Sequence, residues 1–141
     1  MKVKKKEDNK TYLLDTSAIL ALWNTEDGAD IVENILKKSS ISPVFVSFMT
    51  FMEGKYRIWK EKGKTLAEEF YRDFRLLPVE RVDIDDELID IASEIKATNN
   101  LSVADSWIIA SAIKTDSILV HKDPEFEQVV DRVDMLKLPY K

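Results

Sequence analysis

The sequence predicts an α/β fold, a mostly parallel sheet with helices over both faces. Short apolar strands alternate with helical patterns along the chain, as in parallel strands joined by helical crossovers. One helical segment, residues 102–114, is apolar on nearly all sides and so belongs inside the molecule. The chain has 141 residues, 45% hydrophobic, with three glycines and four prolines. That is enough apolar surface for one core, with no low-complexity linker to divide it. The expected organisation is a basic flexible tail over residues 1–10 and a single domain over 11–141.

Each element has its own signal. Residues 11–15 read as a strand, and a helix follows from Ser17 to Trp23. Glu26 to Lys38 reads as a second helix, with Ala29, Val32, Ile35 and Leu36 at three- and four-residue steps. Residues 42–47, SPVFVS, are β-branched and aromatic, a strand. Residues 47–64 turn helical, with Phe48, Phe51, Met52 and Trp59 on one side. Leu66, Ala67, Phe70, Tyr71, Phe74 and Leu77 form the apolar stripe of a further helix, which Pro78 ends. VERVDI predicts an edge strand, and Leu88, Ile91, Ala92 and Ile95 predict a helix after it. Beyond the buried helix come a strand at 117–120, an Asp-Pro helix start at 123–124 and a last strand at 132–138.

Composition removes several chemistries. There is no cysteine, which excludes disulfides, thiolate catalysis and cysteine-bound zinc. One histidine, His121, is too few for a histidine zinc site within one chain and argues against a Ser-His-Asp triad. A bound metal must then take mostly oxygen ligands, the preference of Mg²⁺ or Mn²⁺. No apolar run reaches the roughly 18 residues of a membrane span, and the basic start MKVKKKEDNK lacks the apolar stretch of a secretory signal. A cytoplasmic location without membrane contact is therefore expected. The first ten residues hold five lysines and two acids, a local +3, which leaves −8 on the remainder of a chain of net charge −5. A body so acidic is a poor unspecific binder of nucleic acid, so any such role needs local basic patches or a metal.

Asp15 sits between two apolar stretches in TYLLDTSAIL, where a charged side chain needs a reason. Three other acids share its situation. Glu53 lies near the start of the helix after the second strand, Asp105 in the first turn of the buried helix, and Asp123 just past strand 117–120. If the strands are parallel, all four meet along one rim, at the carboxyl ends where such sheets place their sites. Taken singly, each acid has a plainer account as a helix cap contributing about 1 kcal/mol. Asp15 and Asp123 fit N-caps, Thr50 to Glu53 fits a capping box, and Ser102 to Asp105 resembles one. Taken together they weigh differently. Two carboxylates ~5 Å apart repel by roughly 3 kcal/mol at an effective dielectric near 20. Such a cluster persists only when protons or a divalent cation neutralise it. Acids, a hard cation and a phosphodiester make a metal-dependent nuclease, provided the four converge.

The motifs carry a resemblance. LLDTSAIL resembles the opening motif of PIN-domain ribonucleases. VSFMTFMEGKYR is similar to their second motif through Ser47, Thr50 and Glu53; LSVADSWIIASAI to the third through Asp105; ILVHKDPEF to the last. The likeness runs from about residue 11 to 137 with all motifs in order. It implies a Rossmann-like α/β/α sandwich and an endoribonuclease dependent on Mg²⁺ or Mn²⁺. It implies Asp15, Glu53, Asp105 and Asp123 as catalytic metal ligands, with Thr16 or Ser17 supporting Asp15. Small single-domain members are mostly VapC-type toxins of VapBC toxin–antitoxin pairs, which implies an RNA substrate, a small antitoxin inserted into the active-site groove, and a homodimer. Two positions depart from the pattern. His121 stands where a Thr or Ser is usual; it could contact phosphate or orient a ligand, though the plain reading as a strand-end residue is favoured. Glu125 replaces a closing Asp and could reach the metal through water or only face solvent.

Other features divide between roles. Lys55, Arg57, Lys60, Lys62 and Lys64 could track an RNA backbone, or form a solvated helix face. Trp107 reads as core, while Trp23, Trp59, Phe48 and Met52 could face a partner. Lys2 to Lys6 could hold nucleic acid or only solubilise the terminus. Two other functions fit an α/β chain of this kind: a non-catalytic PIN-fold module binding RNA or protein, and a phosphoryl-transfer domain using Asp15 as nucleophile. The intact set of acids argues against the first. The absence of a paired Asp-x-Asp in LDTSA argues against a haloacid-dehalogenase-like version of the second.

Overall fold

A computed structural model describes residues 10–140. The tail lysines Lys2 to Lys6 lie outside the described residues. In chain order the elements are β1 (Tyr12–Leu14), α1 (Thr16–Trp23), α2 (Ala29–Lys37), β2 (Val44–Ser47), α3 (Phe48–Lys62), α4 (Lys64–Arg75), β3 (Glu80–Val82), α5 (Asp86–Thr98), α6 (Val103–Lys114), β4 (Ile118–His121) and β5 (Met135–Lys137). A 3-10 helix, Pro124–Val129, joins the last two strands. The five strands form one sheet in the order β3-β2-β1-β4-β5, and every pair is parallel. This is the α/β sandwich the sequence predicts.

Strand alternation builds a core on each face. Successive side chains of a strand point to opposite sides. Leu14, Val44, Val46 and Val120 therefore pack with α1 to α4, against Ile19, Val32, Ile58 and Phe70. Leu13, Leu119 and Val82 face the other way, onto Leu88, Ile95, Ile108 and Ile109 of α5 and α6. β1 is central because it is apolar on both faces, with Leu13 and Leu14 fully buried.

Three boundaries differ from the sequence reading. α2 begins at Ala29 rather than Glu26, because Gly28 precedes it at φ 96°, a left-handed conformation that breaks the helix. The Asp-Pro segment winds as a 3-10 helix rather than an α-helix. The last strand is confined to Met135–Lys137. The predicted edge strand is β3, which bounds the sheet on one side as β5 does on the other.

The chain leaves β1 toward β2 on one side and returns to β4 on the other. The order thus reverses at β1 and β4, and the crevice beyond their carboxyl ends is where open α/β sheets bind ligands.

Candidate active site

All four predicted acids lie at this rim. Asp15 follows β1 directly, its backbone N–H donating to the Val120 carbonyl of β4 (3.1 Å). Its carboxylate caps α1, accepting from the Ala18 N–H at 2.8 Å, and takes the Ser17 hydroxyl at 2.7 and 2.8 Å. Glu53 sits in the second turn of α3 and is half-buried. Asp105 is the third residue of α6, its N–H donating to the Ser102 hydroxyl oxygen at 3.1 Å. Asp123 lies two residues past β4 and caps the 3-10 helix through the Glu125 N–H at 3.0 Å. Capping and rim placement thus coexist in Asp15 and Asp123.

One predicted cap is wrong. Thr50 does not start α3, because the helix begins earlier, capped by Ser47, whose hydroxyl oxygen accepts from the Met49 N–H at 3.1 Å. Thr50 is instead buried and its hydroxyl takes that of Thr16 at 3.0 Å, tying α3 to α1. Glu53 is thereby released from a capping box.

The acids feel one another. Asp15 is only 3% exposed. Burial pushes its carboxyl from the ordinary 3.8 up to about 7, with the negative charges of Asp105 and Asp123 adding to the rise. The Ser17 and Ala18 hydrogen bonds oppose it. That displacement corresponds to a cost on the order of 4 kcal/mol for the ionised form. Asp105 is raised to about 6, first by burial and then by the charges of Asp123, Glu53 and Glu125. Asp105 is therefore the hub, coupled to every other acid of the rim.

The PIN-domain sequence profile matches residues 12–131, most of the chain. The chain belongs to the PIN-domain family. A comparison with curated proteins by sequence finds no match. Solved structures of VapBC and VapC proteins superpose well at low identity. VapBC2 of Rickettsia felis, bound to a DNA fragment from its promoter, gives a TM-score of 0.73 at 18% identity over 92% of this chain and 99% of that one. DNA-bound VapBC of Salmonella typhimurium gives 0.72 at 20% identity over 91% and 98%. VapC20 of Mycobacterium tuberculosis, a toxin that cleaves the sarcin-ricin loop, gives 0.68 at 19% over 84% and 95%.

PIN proteins are in general nucleases that depend on divalent metals. The donor set here fits that chemistry: oxygen-only carboxylates, with the burial-raised Asp15 and Asp105 gaining most from a neighbouring cation. Among the described residues no three His, Cys, Asp or Glu side chains close into a ready-made cage.

The surroundings show what the sequence left unread. Of the two candidates to support Asp15, Ser17 does so, while Thr16 serves the Thr50 link. Ser17 also accepts the Lys122 N–H at 2.9 Å, so one hydroxyl joins β1, α1 and the segment after β4. His121 is the strand-end residue expected, with an addition: it is buried, and its Nδ1 accepts the Asp123 N–H at 3.1 Å. Burial lowers its pKa and so favours the neutral ring that this contact requires. The Lys122 side chain, 6% exposed, pairs with Glu26 at 3.0 Å and donates to the Asp27 carbonyl at 3.0 Å. The basic run of α3 is no single stripe. Lys55 covers the Tyr71 ring, Lys62 donates to Asn24, and Arg57 turns to a cleft beside the acids. Trp107 packs edge-to-face on Phe48, as a core residue does, whereas Trp59 is 46% exposed. Among the described residues no helix is long and apolar enough to cross a membrane.

Proposed function

We propose that this chain is a divalent-metal-dependent endoribonuclease and the toxin of a toxin–antitoxin pair. The observation that carries the reading is the burial of Asp15 and Asp105 at one rim with the other acids beside them, which raises their carboxyls to about 7 and about 6. Asp15, Glu53 and Asp105 would hold Mg²⁺ or Mn²⁺, partly through water, and Asp123 would complete the site. The ion supplies a water of lowered pKa and a counter-charge for the phosphate oxygens. Ser17 and the Ala18 N–H fix the Asp15 carboxylate toward the rim. His121 holds the backbone of Asp123 in place. Glu125 is exposed and is optional to the site: it would reach such an ion through water or only face solvent.

The RNA substrate follows from the family, since this chemistry needs no 2′-hydroxyl. The likeness to VapBC complexes supports an antitoxin partner, and a homodimer is what the family resemblance implies. The test is cleavage of a mixed RNA pool by purified protein with Mg²⁺ or Mn²⁺, with and without EDTA. Asp105→Asn protein, checked for folding by circular dichroism, runs beside it. Cleavage that EDTA and the substitution both abolish supports the proposal. No cleavage, together with no Mn²⁺ binding by calorimetry, overturns it.

A further inference from the structure

A polar cleft of about 390 Å³ opens beside the acids, between α1, α3 and the segments around Lys122 and Tyr140. Its size falls within the roughly 300–1,000 Å³ of small-ligand sites. It joins the rim directly, because Ser17 lines it and also donates to Asp15. Along α3, Glu53, Arg57 and Glu61 follow at four-residue steps, one face running from the rim into the cleft.

Part of the lining is already committed. Lys122 is paired with Glu26, and Asn24 donates to Glu26 and accepts from Lys62. The rest is not. The Tyr140 hydroxyl is buried without a hydrogen-bond partner among the described residues, which is costly unless a ligand satisfies it. Arg57 and Glu61 line the same cleft, and neither makes a hydrogen bond or ion pair among the described residues. Burial raises the Tyr140 pKa and keeps the phenol protonated, a donor.

Charge selects the ligand class. Lys122 cancels Glu26, and Arg57 cancels Glu61, so the cleft suits a neutral polar group better than a phosphate. The free groups are a planar two-pronged donor, a two-oxygen acceptor and a single hydroxyl. Guanine offers two adjacent acceptors, O6 and N7, which an arginine takes bidentately, and two adjacent donors, N1–H and N2–H, which fill both oxygens of a carboxylate. Cytosine offers one exocyclic amine and fills one. Adenine and uracil match less.

We propose that this cleft is a nucleobase subsite selective for guanine, read by Arg57 and Glu61. It would receive the base of a nucleotide neighbouring the scissile phosphodiester, and in that it rests on the nuclease reading. The test separates the two. Binding of 5′-GMP, AMP, CMP and UMP to the full chain is measured by NMR titration, for wild type, Arg57→Met, Glu61→Gln and Tyr140→Phe. Cleavage of short single-stranded RNAs differing only in guanine content is measured alongside. GMP should bind at least tenfold tighter than the others, and Arg57→Met or Glu61→Gln should each reduce that preference below threefold. Tyr140→Phe should weaken GMP binding while leaving GMP preferred. Both α3 substitutions are at exposed positions, so folding is preserved. Equal binding of the four nucleotides, no binding, a preference for another base, or a GMP preference unmoved by either α3 substitution overturns the subsite. RNA cleavage without base preference would sink the subsite and leave the nuclease standing. Selective GMP binding without RNA cleavage would do the reverse.

Discussion

Asp15 caps a helix and joins an acid cluster, and one hydroxyl serves both roles. Ser17 reaches both carboxylate oxygens and the backbone beyond β4. Groups that orient a metal ligand carry about 10–100-fold of metal affinity or activity. Ser17→Ala should therefore weaken Mn²⁺ binding by that factor without unfolding the protein, as calorimetry and circular dichroism would report. Protons compete for the same ligands. With Asp15 near 7 and Asp105 near 6, a cation must displace a proton from one or both in mildly acid solution. Mn²⁺ affinity should fall by about tenfold per pH unit from pH 7 to 6 and by up to about 100-fold per unit below that, where both carboxyls are protonated; affinity constant from pH 5 to 8 would contradict this. The acids were legible because each stands next to a short motif of its own. Lys122, Arg57 and Tyr140 were not, since their partners or shared cleft lie far away in sequence, as Lys122 and Glu26 show. Arg57 alone left a trace, one helical turn past Glu53.

At the scale of elements, two glycines act for opposite reasons. Gly54 lets α3 approach α4, for a Cβ there would stand 2.9 Å from two atoms of the buried Phe70 ring. Gly54→Ala should cost roughly 1–3 kcal/mol by overpacking, seen as a lower denaturant midpoint. The strain falls beside Glu53, so metal affinity should drop as well. Gly63 has nothing within 4 Å of such a Cβ, but its φ of +95° penalises any side chain. Gly63→Ala should cost about 1–3 kcal/mol through the backbone alone, with metal binding unchanged. The helices and strands were readable wherever periodicity spoke. Failures came where one backbone angle decided, as at Gly28, or where a tertiary hydrogen bond competed with a local cap, as Thr50 does with Thr16.

For the molecule as a whole, the rim opposes stability when no cation is bound. Asp15 and Asp105 are raised in the folded state, so their contribution is full below about pH 4 and is lost as pH rises through 6 and 7. Asp85, lowered mainly by its hydrogen bond from Lys114, acts in the other direction, and its contribution disappears only on acidification below the ordinary carboxylate range. Metal-free protein should melt lower at pH 8 than at pH 5, Asp105→Asn should narrow the gap, and Mn²⁺ should raise the melting temperature more at pH 8. A melting temperature insensitive to pH across this window would argue against the acid cluster. The strand order has a further consequence, for synthesis. β1 leaves the ribosome well before β4 but needs it along one of its edges, and Asp123 follows β4. A nascent chain holding Asp15, Glu53 and Asp105 still lacks the strand that closes their rim. The centre is therefore assembled only once β4 and Asp123 have been made.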